Sequence, residues 1–365
     1  MNTDKIRIGI THGDINSISY EVIMNTLLDS RIVENCIPVL YGSSKVAAYH
    51  RKALNLGNVT FNTVRSADDA RTNKINLVNY PDENVRVELG KSTPIAGEAA
   101  LWALDMAVKD LKAGKLDAIV TGPINKQNIQ SDKFQFKGHT EYFQSQFNAK
   151  DVLMFMVNEV MRVGVVTGHV PLNKVASLIT EENIISKLKL MNHSLLQDFG
   201  KRKPKIAVLG LNPHAGDNGV LGDEDVKIIA PAIQKARDLG IMALGPFPAD
   251  GFFGAGSYKK FDAILAMYHD QGLIPFKGIS SEEGVNYTAG LNIVRTSPAH
   301  GTAYEHAGKG TASSDSFRLA FYMALDIVKN RKEFKELSKD PLRHYELSTG
   351  QADQTINLDD DDASM

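Results

Sequence analysis

Ala266-Met267-Tyr268-His269-Asp270-Gln271-Gly272-Leu273-Ile274-Pro275-Phe276-Lys277 is the stretch on which the reading of this chain turns. It extends the apolar run Ala263-Ile264-Leu265, which has the composition of a buried strand, and then changes to polar residues that a simple turn does not need. His269 can bind a metal or shuttle a proton, and Asp270 can orient it. Gly272 would let backbone approach a ligand, and Lys277 brings back a positive charge. A strand running into a surface loop is the plainer alternative, and this stretch alone does not decide between the two.

Outward from it, the same junction recurs. Apolar runs at residues 6–10, 117–120, 162–166 and 206–210 each read as a strand. They end, in order, in Thr11-His12-Gly13-Asp14, Thr121-Gly122-Pro123-Ile124-Asn125-Lys126, Thr167-Gly168-His169-Val170-Pro171 and Leu211-Asn212-Pro213-His214-Ala215-Gly216-Asp217. Further strands are expected at 37–41, 152–157 and within 58–87. Helices fall between them. Leu101, Leu104, Val108 and Leu111 recur at helical spacing over 94–111, with Gly114 in the capping position, and Trp102 and Met106 widen that core face. Helices are also expected over 20–28, 180–199, 223–240 and 313–330, with Glu181 and Glu182 suited to the positive end of theirs. Strands alternating with helices predict an α/β protein, two lobes built around one largely parallel sheet, with ligands gathered at strand carboxyl ends.

Composition sets the outer bounds. The chain has 365 residues, ordinary hydrophobic (43%) and charged (23%) fractions, and 41 Lys+Arg against 43 Asp+Glu, a net charge of -2. No basic block with interleaved aromatics offers a nucleic-acid surface, and no apolar window is long enough for a membrane span. The single Cys36 precludes an intrachain disulfide, and no leader-like apolar segment opens the chain, so a cytoplasmic setting is expected. Any metal would have to use His and carboxylate ligands. The run Asp359-Asp360-Asp361-Asp362 reads as a solvated acidic tail.

His169, His214 and His269 each lie just past a strand, and three imidazoles meeting at one point could hold Zn²⁺ or a similar divalent ion. Their separations match no local zinc motif. His139 and Thr140 beside Gly138, with Lys277, Asn286 and Arg295 further on, could hold a small anion; scattered surface charges are the alternative. Asp250 could orient a ligand histidine or cap a turn, and the glycines at 216, 219 and 222 could approach a cofactor. Neither Gly-x-Gly-x-x-Gly nor a phosphate-binding P-loop is present.

Thr121 to Lys126, Gly138-His139-Thr140-Glu141, Thr167 to Leu172, Leu211 to Gly216, Pro248-Ala249-Asp250, His269-Asp270-Gln271-Gly272-Leu273, Gly284-Val285-Asn286 and Arg295-Thr296-Ser297 together resemble the 4-hydroxythreonine-4-phosphate dehydrogenase (PdxA) family over nearly the whole chain. The resemblance implies an isocitrate/isopropylmalate-dehydrogenase-like fold over residues 1–335, followed by a C-terminal extension at 336–365. It implies NAD or NADP bound without a Rossmann motif, a divalent metal (Zn, Mg or Co) on His169, His214 and His269, and substrate contacts from His139, Thr140, Lys277, Asn286 and Arg295. A homodimer sharing its active sites is implied as well. The implied reaction oxidises 4-phosphooxy-L-threonine and then decarboxylates the keto acid, and Asp270 and Lys277 are the expected proton-handling groups. A sister dehydrogenase for erythronate or threonate 4-phosphate, or a hydrolase with a three-histidine metal, would use similar side chains. Two departures from the family pattern stand out. Gly13 to Glu21 replaces a loop richer in glycine and proline, and Ala299 stands where an Asp is usual.

Overall fold

The computed structural model describes residues 5–81, 84–279 and 283–340. Twelve strands form one sheet: β1 (Arg7–Thr11), β2 (Ile37–Gly42), β3 (Phe61–Val64), β4 (Ile75–Asn79), β5 (Ala118–Thr121), β6 (Leu153–Val157), β7 (Arg162–Thr167), β8 (Ile206–Leu209), β9 (Ala243–Phe247), β10 (Ala263–Tyr268), β11 (Val285–Ala289) and β12 (Val294–Pro298). Their order is β3-β4-β2-β1-β5-β12-β11-β6-β7-β10-β8-β9. Pairing is parallel from β3 to β12 and again from β7 to β9. The three junctions between, β12·β11, β11·β6 and β6·β7, are antiparallel, so the two parallel blocks run in opposite senses. This is the two-lobed, shared-sheet α/β arrangement expected from the sequence.

The central strands of both blocks are buried end to end, as helices on both faces require. The helix Pro94–Lys112 opens on Thr93, whose hydroxyl accepts from Ala96 N, with Pro94 in the first turn. It buries Leu101, Leu104, Val108 and Leu111, as their spacing predicts, and Trp102 packs edge-on against Tyr80. At Gly97 the helix backs directly onto the loop after β5: a Cβ there would stand 2.0 Å from Asn128 O.

Several elements differ from expectation. The polar stretch after β10 is a helix, His269–Ile279, that starts immediately at the strand end and buries Leu273 and Phe276 at i, i+3. Gln271 fastens this junction, accepting from Met267 N (2.7 Å) and donating to Gly210 O (2.6 Å). Gly272 serves packing: a Cβ would meet Val163 Cγ1 at 2.7 Å and Ala266 Cβ at 3.0 Å. His139 likewise opens a helix, His139–Gln146. The strand Ala243–Phe247 and the helices Ser30–Asn35, Ser44–Ala53 and Ala249–Gly254 carry patterns too short to read from one sequence. The last helix, Asp315–Leu337, crosses the expected boundary at 335; the acidic run Asp359 to Asp362 lies outside the described residues. No helix among the described residues is long and apolar enough to cross a membrane.

Candidate active site

Strand register assembles the site. Side chains alternate across a pleated sheet, so the pairings Arg295↔Ile119, Asn286↔Ser297 and Asn286↔Met156 place Thr121, Arg295, Ser297, Asn286, Met156 and Met154 on one face. All six line a cleft of about 340 Å³ across the middle of the sheet, between the two parallel blocks. The loop after β5 and the helix His139–Gln146 close one side; His169 and His269, which follow β7 and β10, close the other.

The cleft is cationic and incompletely paired. Arg295 is buried at 2% exposure, and among the described residues its hydrogen bonds run only to Thr121 Oγ1 (2.8 and 3.2 Å) and Thr288 Oγ1 (3.2 Å). Burial pulls its guanidinium down to about 9, which leaves it charged at neutral pH. His139 Nε2 and Asn286 Oδ1 are sealed from solvent without a hydrogen-bond partner. Burial, then the charges of Arg295 and Lys126, hold the His139 ring well below its ordinary pKa. Thr140 stands in the same first helical turn, where the helix dipole favours an anion. The only carboxylate lining the cleft among the described residues is Glu141. Arg295, with no ion pair among the described residues, and Lys126, Lys137 and Lys277 on the same lining describe a site built for a ligand with negative charge, and the orphaned buried groups call for a polar ligand.

The expected substrate residues His139, Thr140, Lys277, Asn286 and Arg295 therefore converge. The expected metal ligands do so in part. His169 and His269 face each other with ring centroids 5.7 Å apart, and His269 Nδ1 lies 2.7 Å from Asp270 Oδ1, which leaves Nε2 for another partner. His214 does not line the cleft. It is exposed on the loop after β8, where φ is positive at every residue from His214 to Asn218, a backbone L-residues adopt at a cost. Asp225 holds this loop, accepting from Leu211 N and from Asn212 N and Nδ2. Among the described residues no group of three or more His, Cys, Asp or Glu could hold a metal, so one chain supplies two imidazoles and not the expected three.

Asp270 does not touch the cleft either; its place behind His269 suits it to orient that ring. Asp250 is exposed and borders no part of the cleft, and Gly216 packs against Gly222 O and Asp225, not against open space for a cofactor. Sequence reading gave no role to Lys126, Lys137, Glu141, Ser297 or His300, all of which line the cleft. Lys126 and Glu141 sat inside motifs already singled out, at a strand end and beside His139, and that placement was their signal. His300 borders both this cleft and an adjoining cavity of about 400 Å³, which also shares Lys277 and Ala299; its Nε2 is buried and unpartnered.

The model of the family described as pyridoxal phosphate biosynthetic protein PdxA matches residues 34–324. The chain belongs to the PdxA family. A 4-hydroxythreonine-4-phosphate dehydrogenase of Bacteroides thetaiotaomicron is 52% identical over 349 residues, spanning 95% of this chain and 96% of the relative. A Clostridium botulinum candidate D-threonate 4-phosphate dehydrogenase is 35% identical over 89% of this chain and 97% of its own length. The crystal structure of the Klebsiella pneumoniae 4-hydroxythreonine-4-phosphate dehydrogenase aligns with a TM-score of 0.77 at 31% identity, covering 90% of this chain and 99% of that one. The fold is thus that of the solved 4-hydroxythreonine-4-phosphate dehydrogenases, an α/β class with a large, mostly parallel sheet.

Against the PdxA pattern, the altered loop Gly13 to Glu21 is rebuilt with polar anchors. Asn16 reaches Lys91 O, Thr93 Oγ1 and Glu88 N, and Asp14 accepts from Tyr304 Oη and Asn128 Nδ2. Ala299, the second expected departure, lies at the boundary of the two cavities.

Proposed function

We propose that this PdxA protein oxidises 4-phosphooxy-L-threonine with NAD or NADP and that the resulting keto acid loses CO₂ to give 3-amino-2-oxopropyl phosphate, a step toward pyridoxal phosphate. The observation that carries this reading is Arg295, a buried guanidinium without a carboxylate partner, facing the same cleft as the orphaned His139 Nε2 and Asn286 Oδ1. A phosphate monoester supplies the charge and acceptors that Arg295 and Thr140 lack.

Hydride transfer requires the nicotinamide within about 3–3.5 Å of the reacting carbon, so the cofactor must enter a space continuous with the cleft. The adjoining cavity, which shares Lys277, Ala299 and His300 with the cleft, suits this need. In this proposal Lys277, which borders both spaces, takes up the alcohol proton as hydride departs. Loss of CO₂ moves the carbon–carbon bond pair onto the neighbouring carbon, which a proton then quenches.

A divalent ion (Zn, Mg or Co) between His169 and His269, when bound, would polarise the substrate oxygen. Asp270 holds His269 in the tautomer a ligand needs. The third imidazole, in this reading, is His214 of a second copy. Leu172 (75% exposed), Val220 (77%) and Ile274 (68%) lie beside His169, the His214 loop and the His269 helix, and an apolar surface there suits a homodimer with shared sites. Free, buried Cys36 accords with a cytoplasmic setting.

Absorbance at ~340 nm decides the reading. Nicotinamide reduction with 4-phosphooxy-L-threonine, and little with D-threonate or D-erythronate 4-phosphate, is the expected result. Preference for either hydroxy acid moves the protein to the sister activity, and release of product without reduction supports a hydrolase.

A further inference from the structure

Arg295 accounts for one negative group, but the substrate proposed above carries two, on opposite sides of the carbon that is oxidised. The second needs a further cation on the lining of the same cleft. Lys126 meets that requirement. It lines the cleft together with His139, His169 and His269. Among the described residues no carboxylate pairs with it.

The position of Lys126 is constructed. Asn125 Oδ1 accepts from Gln127 N (2.8 Å) and Asn128 N (3.1 Å), a local turn that leaves Lys126 at its apex. Asn125 Nδ2 in turn donates to Tyr304 Oη (3.0 Å), which donates to buried Asp14 (2.8 Å). Behind the turn, Asn128 O presses on the Pro94–Lys112 helix at Gly97, where no side chain fits. Lys126 is itself exposed, and it differs from other surface lysines in standing on a turn pinned by its neighbours' hydrogen bonds and bordering a ligand cleft.

We infer that Lys126 is a specificity-determining residue, pairing with the carboxylate of the substrate while Arg295 and its neighbours take the phosphate. The inference rests on the substrate reading of the cleft. A carboxylate leaves as neutral CO₂, so a cation paired with it strengthens the bound substrate and not the transition state for its loss. Lys126 therefore acts on binding and on the choice of acid.

The test is steady-state kinetics of Lys126→Met and Lys126→Arg with 4-phosphooxy-L-threonine, alongside competitive inhibition by glycerol 3-phosphate, which carries the phosphate and no carboxylate. For Lys126→Met the expected KM rises on the order of 10- to 100-fold, the value of a charge-assisted bond, with kcat within a few-fold. Lys126→Arg recovers most of the loss, and the glycerol 3-phosphate inhibition constant stays the same in all three proteins. Two results would overturn the assignment: glycerol 3-phosphate weakened in parallel with substrate, which makes Lys126 a phosphate contact, or a fall in kcat at constant KM. An unmutated protein that binds glycerol 3-phosphate but reduces no nicotinamide would take down the dehydrogenase reading and this inference with it. Turnover by the unmutated protein with KM unchanged in Lys126→Met removes the inference alone.

Discussion

His12 and His269 both stand at the carboxyl end of a central parallel strand, β1 and β10, yet they are put to opposite uses. His12 is fully buried, with Nε2 on Ala99 O (3.1 Å) and its ring stacked on Tyr20 at 5.5 Å; Tyr20 stacks in turn on His50 at 5.1 Å, and His50 Nε2 meets Ile15 O. His269 lies at a cleft edge opposite His169, with a carboxylate behind it. Position after a strand thus says where an imidazole is, and its surroundings say what it does. One pair is packed as part of the core; the other is left available to a ligand.

Substitution separates the two. The largest effect is expected for His269→Ala: a loss of roughly 10³ or more in kcat/KM, about 4 kcal/mol of transition-state stabilisation, with thermal melting nearly unchanged because the ring is only part-buried. Should melting fall sharply while turnover survives, the contrast between the two pairs is wrong. His50→Ala should do the reverse, removing about 2–4 kcal/mol of stability through the emptied space beside Tyr20, with kcat of the folded fraction preserved.

Acid offers a finer probe of the same stack. Burial lowers His12 and His50 from 6.5 to about 4. The unfolded chain takes up these protons near pH 6.5 and the folded chain only near pH 4. Stability should therefore be level, as far as these rings are concerned, above 6.5 and fall as pH drops toward 4, by up to about 1.4 kcal/mol per pH unit for each ring. Urea denaturation at pH 7 and pH 5 measures the drop. It should shrink in His50→Ala; an equal drop would assign the acid sensitivity to other groups.

The same pair of examples marks how far one sequence can be read. Long periodic elements were legible, such as the helix Pro94–Lys112 and the strand Ala263–Tyr268, because burial on a fixed period leaves a pattern. The helix His269–Ile279 was not, since its first turn is polar for the sake of the site and Pro275 interrupts its pattern. His139, Arg295 and Asn286 could be placed through motifs, but their convergence depends on β11 and β12 entering the sheet between the two blocks, a pairing no local pattern records. Lys126 and His300 escaped because what distinguishes them, an ammonium without an ion pair among the described residues and an unpartnered Nε2, is a property of three dimensions. His214 leaves the same end of the sheet as His169 and His269, and its absence from the cleft goes with the course of its own loop, where φ is positive from His214 to Asn218.

The smallest expected effect falls on a hydroxyl that ties the packed region to the open one. Tyr304 Oη donates to Asp14, in the rebuilt loop below His12, and accepts from Asn125, which sets the turn carrying Lys126. Tyr304→Phe removes that oxygen and nothing else. Asp14 keeps Asn128 Nδ2 and Asn16 N as donors, so the loss of stability should be only about 0.5–1.5 kcal/mol. Asn125 Nδ2 loses its acceptor, and with it the restraint on Lys126, so KM for substrate should rise a few-fold while kcat holds. If the Lys126→Met background already lacks what Tyr304 supports, adding Tyr304→Phe to it should change KM little, whereas independent roles would give the full product of the two effects. Non-additive KM values with additive losses of stability would show that this hydroxyl serves the core and the cleft through separate partners.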